Sequence, residues 1–175
     1  MDKQQEASLD WFRDGFRPHF DKWVFGPIDR LVESRDALVG FILMACAIDY
    51  LASFWWGNTT KNKVRDAYIG FIDEYFKKNV YDSDGLYDSL RNGLVHLFTI
   101  KNKKYALTHN NPALHLRTDT DGQILLNASD FRNDLVLAKN AYFNAVESSN
   151  GLLDKLIQRY ARDGFLGPIT SHVQL

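Results

Sequence analysis

One cysteine, Cys46, occurs in 175 residues. Neither a disulfide framework nor a cysteine-based zinc site can be built from it, and the composition suits a reducing cytoplasm. Charge of one sign is also lacking. The 21 Lys and Arg against 22 Asp and Glu leave a formal net charge of -1, which excludes a histone-like surface and leaves any nucleic-acid contact to a local basic patch. The opening MDKQQEASLDWF is acidic and polar where a secretion signal is basic and then apolar, so secretion is not expected. The sequence has no internal repeat, low-complexity tract, glycine-rich phosphate loop or His-Glu metal helix, and no cofactor or metal is expected.

What is present is a globular composition, 45% hydrophobic and 14% aromatic, in a length that suits one domain over residues 1–175. Long apolar runs are limited to one, ALVGFILMACAIDYLASFWW from Ala37 to Trp56, with a single charge. Its length is enough to span a bilayer. Asp49 inside the run argues for the other reading, the central helix of a soluble bundle, because an ionised carboxylate within a bilayer costs roughly 2.5–3.5 kcal/mol.

Periodicity reads as helix over most of the chain. Trp11, Phe12, Phe16, Phe20, Trp23 and Val24 recur at helical spacings, predicting a first helix kinked near Pro18 and again at Gly26-Pro27. A second helix is expected over Asp36 to Trp56. A third runs from about Lys63 to Lys78, with Val64, Ala67, Tyr68, Phe71, Ile72, Tyr75 and Phe76 on one stripe. Asp82 or Ser83 is placed to cap a fourth helix whose inward stripe is Leu86, Leu90, Leu94 and Leu97. From about 104 to 128 the texture changes. The segment alternates, contains Pro112 and holds Asp121-Gly122, suited to a tight turn, so a small antiparallel hairpin or three-stranded flap is expected. Ser129 or Asp130 is placed to cap a long last helix, with Phe131, Leu135, Ala138, Tyr142 and Val146 inward, that bends at ESSNG. The ending GFLGPITSHVQL reads as a tail.

Within the fourth helix, YDSLRNGLVHLF sets Arg91, Asn92 and His96 among leucines. With the leucines facing the core, Asn92 and His96 stack on another face, where the amide can orient the imidazole. Arg91 lies about 140° and about 7.5 Å from His96 on an ideal α-helix, a gap its side chain can cover, so both heads can reach one phosphate-sized site. Asp88 is placed to brace the guanidinium. Two readings stand: this site, or an Arg91–Asp88 surface pair beside a boundary histidine. Asp49, a carboxylate amid apolar residues, must find a partner or be neutralised, and one reading bonds it to Tyr50 or lysines at the bundle edge.

RNGLVH resembles the signature of the HEPN superfamily, an Arg followed by a polar residue and separated by a few residues from a His, here four, on a helix of an all-α bundle. The likeness extends over roughly residues 36–160, with the hairpin as a departure and the N-terminal aromatic helix as an elaboration. The resemblance implies an all-α, HEPN-like up-and-down bundle of four to five helices with a small β-hairpin insertion. It also implies a homodimer packed through these helices, a composite cleft and metal-independent RNA cleavage. The family's second helix commonly supplies a polar or acidic residue to the site, which implies that Asp49 positions Arg91 or His96, so Arg91, His96, Asn92 and Asp49 are the candidate catalytic residues.

RNA brings its own nucleophile, the 2′-hydroxyl, so the protein needs a proton carrier and a cation for the phosphate. His96 suits the first role and Arg91 the second, and the expected products are a 2′,3′-cyclic phosphate and a 5′-hydroxyl. Lys101, Lys103 and Lys104 follow His96 and are the expected RNA-backbone contacts. Trp55 and Trp56 read as packing rather than base stacking, His109 and His115 as no metal site, and His19 and His172 as incidental. The expected partners are RNA, a second copy and an antitoxin protein, with no membrane. The setting is a cytoplasmic toxin–antitoxin pair, phage defence or RNA processing. The rival reading is a non-catalytic HEPN-like dimer that binds a nucleotide or a partner protein.

Overall fold

Proline shapes the first helix. Pro18 and Pro27 lack the N–H of an α-helical bond, and their rings press on the carbonyl one turn back. Yet α1 runs unbroken over residues 3–33 of the structure, a computed structural model that describes residues 3–57, 63–109 and 111–164. The helix accommodates each proline by widening just before it. Trp11–Phe16 and Asp21–Phe25 are π-helical, with Arg17 N donating to Phe12 O and Gly26 N to Asp21 O. Two π turns therefore stand where kinks were expected. The same turns keep Phe12, Phe16, Phe20, Phe25 and Ile28 buried on one face, because a π turn absorbs the long step from Phe20 to Phe25 that would leave the face of an α-helix. Trp23, which shares the helical spacing, is 37% exposed.

The helix α2, Ala37–Trp56, is the hub. The C-terminal turns of α1 pack on it, as do α3 (Val64–Tyr75), α4 (residues 83–95), α5 (Ala128–Ser148) and α6 (Asn150–Asp163). Neighbours on several sides explain a helix with almost no polar stripe. Among the described helices α2 is the one long and apolar enough to cross a membrane, and ten of its residues, from Gly40 to Phe54, are buried inside the protein.

In α4 the turn Ser83–Leu86 leads into a π-helix, Tyr87–Val95. Leu86, Leu90 and Leu94 are buried, but Leu97 is 61% exposed. The expected fourth member of the stripe is turned outward because a three-residue step falls far short of a π turn.

The expected hairpin is corrected in one respect. The strands β1 (Tyr105–Thr108) and β2 (Ile124–Asn127) pair in parallel, Tyr105 opposite Ile124 and Thr108 opposite Asn127. The turn at Asp121-Gly122 is present, with Gly122 at φ +80°, but the antiparallel ladder it closes shrinks to one bridge, Thr118 to Ile124. The upstream arm cannot extend because Leu116 takes φ +63° after the 3₁₀ turn Pro112–Leu114. Asn127, rather than Ser129 or Asp130, caps α5: its Oδ1 accepts from the N–H of Ser129 at 3.1 Å and of Asp130 at 3.4 Å. Ser149 caps α6 at the expected bend. The expected tail beyond Gly164, with His172, lies outside the described residues.

Candidate functional site

Arg91 reaches from α4 to α2, where its Nε donates to Asp49 Oδ2 at 3.3 Å. Its Nη1 donates to Asn92 Oδ1 at 3.4 Å and to His96 Nε2 at 2.6 Å. A guanidinium only donates, so His96 Nε2 accepts and the imidazole proton sits on Nδ1. The winding of α4 makes this contact. A π turn takes more residues than an α turn, which narrows the wide angle that an α-helix would leave between Arg91 and His96.

Asn92 takes a different part from the one its spacing suggested. Its Nδ2 donates to Asp88 Oδ1 at 3.3 Å while its Oδ1 faces Arg91, so the amide holds the guanidinium and not the imidazole. Asp88 therefore braces Arg91 only through Asn92, and the ion pair of Arg91 is with Asp49. The Tyr87 ring lies against the guanidinium, with Cζ 5.8 Å from its centroid. Among the described residues Arg91 Nη2 has no protein partner, which leaves two N–H groups for a ligand.

Burial raises the Asp49 carboxyl above the usual range, and the charge and hydrogen bond of Arg91 pull it back. Cys46, one turn earlier, opens outward, yet the protein around it raises its thiol by desolvation, with Asp49 adding and Arg91 opposing. His96 is exposed, as are its neighbours Leu97 and Phe98 at 61% and 72%.

Gly93 is a site residue that the motif spacing did not single out. The chain after His96 folds back over it, so an added Cβ would lie 2.5 Å from Thr99 O and 2.7 Å from Lys101 N. Ser89 Oγ fastens this return by donating to Lys101 O at 3.1 Å. The signal available was a glycine inside a helix, where it weakens the helix unless a neighbour needs the space. The return sets Lys101 and Lys103, both exposed, against α4, whereas Lys104 is tied to Asp82.

Beside Arg91 opens a cavity of about 670 Å³, walled by Trp23 of α1, by Cys46, Asp49 and Ser53 of α2, and by Arg159 of α6. Arg159 is held in place, its Nε donating to Ser53 Oγ at 3.2 Å and its Nη1 paired with Asp163.

A second polar cluster ties the flap to α5. Asn127 N–H donates to His115 Nδ1 at 3.1 Å, which puts the ring proton on Nε2, facing Tyr81 Oη at 3.0 Å. Tyr81 O–H donates to Asp134 Oδ2 at 2.7 Å, and Lys77 Nζ meets Asp134 Oδ1 at 2.9 Å. Burial lowers His115, against the pull of Asp130 and Asp134, and raises the Tyr81 phenol well above its ordinary value. Among the described residues no three His, Cys, Asp or Glu side chains converge as metal ligands. Trp55 packs edge-on to Phe71 and Tyr75 over Gly70, and Trp56 lies edge-on to Trp55.

Comparison with protein-family models, with curated proteins and with solved structures gave no match.

Proposed function

We propose that the chain is a metal-independent RNA endonuclease of HEPN type, leaving a 2′,3′-cyclic phosphate and a 5′-hydroxyl. The observation that carries this reading is the 2.6 Å contact between Arg91 Nη1 and His96 Nε2, with the guanidinium held from behind by Asp49 and Asn92. An anchored cation and an exposed imidazole thus share one point on the surface. A phosphodiester oxygen accepts from Arg91, and His96 Nε2, released as the phosphate takes its place, removes the 2′-hydroxyl proton. The 2′-oxygen bonds to phosphorus, the P–O5′ bond breaks, and the leaving 5′-oxygen takes a proton.

In a homodimer with a composite cleft, the acid for that last step is His96 of the second copy. Exposed Leu97 and Phe98 beside His96 support such a dimer, since two adjacent large apolar side chains gain most when another surface covers them. Lys101 and Lys103 supply RNA-backbone contacts, and an antitoxin protein or a phage-defence setting belongs to the same reading. The non-catalytic alternative, a dimer that binds a nucleotide or partner protein, is favoured by one feature, the cavity adjoining Arg91.

The full chain, incubated with a mixed RNA pool in excess EDTA, is expected to cut it and leave the cyclic end. A stable His96→Ala protein that cuts as fast as the parent sinks the assignment, and nucleotide binding without turnover selects the alternative.

A further inference from the structure

Phosphate chemistry does not explain the cavity beside Arg91. A phosphodiester needs a few donors on a surface, whereas about 670 Å³ of space opens here, within the roughly 300–1,000 Å³ of small-molecule sites. Leu43 and Tyr50 of α2 and Trp23 of α1 line it, and water held against such apolar walls is unfavourable until an occupant displaces it. Two of its wall residues are cations. Arg91 and Arg159 form part of its walls, and Lys22 Nζ lies 5.0 Å from the centre of the Trp23 ring. The nearby carboxylates of Asp49 and Asp163 are each paired with an arginine. A slot with apolar walls, an exposed indole and an arginine shared with the His96 site suits a flat group covalently attached to an anion.

We propose that this cavity seats the base of a nucleotide whose phosphate lies on Arg91 and His96, so that the protein selects the base next to the bond it cuts. The inference rests on the nuclease reading and adds to it a base-recognition site. Arg91 belongs to both halves, which makes base and phosphate two ends of one ligand. Trp23 supplies the stacking face, and Ser53 with Arg159 supplies polar atoms for the edge of the base.

Cys46, the single cysteine of the chain, opens on the cavity, so its alkylation by N-ethylmaleimide reports occupancy of the native full chain without any catalysis. At least one of the four nucleoside 3′-monophosphates, at roughly ten times its Kd, is expected to slow alkylation about tenfold. Inorganic phosphate and decanoate are expected not to. Trp23→Ala, at a partly exposed position, is expected to raise the Kd about tenfold or more, the scale of one lost base–aromatic stack, so that the same nucleotide concentration slows alkylation about twofold or less. Protection by none of the four nucleotides overturns the proposal, as does equal protection by phosphate or decanoate, or undiminished protection in Trp23→Ala. RNA cleavage measured on the same samples separates the two readings. Nucleotide protection without turnover keeps the base site and rejects the nuclease, while turnover without protection rejects the base site alone.

Discussion

Arg91 Nη1 and His96 Nε2 lie 2.6 Å apart because the helix that carries them is wound as a π-helix from Tyr87 to Val95. Such winding is rare and is found frequently at functional sites. Here it lines up two side chains five residues apart and lets Asp49 and Asn92 fix one of them.

The first prediction follows from the shape of the guanidinium. Arg91→Lys keeps the charge and can still meet Asp49, but one ammonium cannot serve Asp49, Asn92 and His96 together or hold a phosphate with a planar fork. Cleavage is expected to fall on the order of 100-fold, with a melting temperature close to the parent's. Parent-like cleavage by Arg91→Lys would show that charge alone suffices.

Gly93 tests the fold around the motif. An alanine there must push back Thr99 O and Lys101 N, which are backbone atoms with little freedom to move. A cost of about 1–3 kcal/mol is expected, typical of overpacking, and at this chain length each kcal/mol lowers Tm by about 2–4 °C. An unchanged Tm for Gly93→Ala would mean that the return over α4 is not held closely.

Where spacing stays on one face, the sequence was a good guide: Ala67, Tyr68, Phe71 and Ile72 are buried as their stripe implied, and so are Leu86, Leu90 and Leu94. It was a poor guide wherever the winding changes, since a search for three- and four-residue steps assumes α-helical turns. Leu97 was misplaced for that reason, and the direct Arg91–His96 contact, rather than a shared reach, was hidden by it. The parallel pairing of Tyr105–Thr108 with Ile124–Asn127 was illegible because alternation marks a strand without giving the direction of its neighbour. The cavity was illegible too. Trp23, Cys46, Arg91 and Arg159 meet only in three dimensions, and a space leaves no mark on any one segment.

His115 makes stability depend on pH. Burial holds it below the ordinary histidine value, and its Nδ1 is occupied by the N–H of Asn127. Asp134 and Asp130 on α5 and Lys77 beyond α3 face it, the carboxylates favouring the charged form and the lysine opposing it. A histidine with a lowered native value contributes stability that is fully present above its unfolded value of about 6.5 and is lost as pH falls through the native one. Tm of the parent minus that of His115→Gln is therefore expected to shrink on acidification. A difference that stays constant or grows toward acid pH contradicts this account.

The last prediction concerns the second copy. Leu97 and Phe98 are exposed beside His96, and a two-fold axis through that surface would bring two Arg91–His96 pairs into one cleft, giving one imidazole to take the 2′-hydroxyl proton and another to supply the leaving group. Phe98→Glu places a charge in this surface without touching the buried core, so the protomer is expected to fold as before while light scattering at micromolar concentration shifts from dimer to monomer. Cleavage should fall with the dimer. Mixing provides the independent check: parent chains mixed with an excess of His96→Ala chains form dimers whose cleft holds one imidazole in place of two, and cleavage per parent chain is expected to fall as these mixed dimers replace parent dimers. A Phe98→Glu monomer that cuts RNA as fast as the parent would show that one copy holds the whole site.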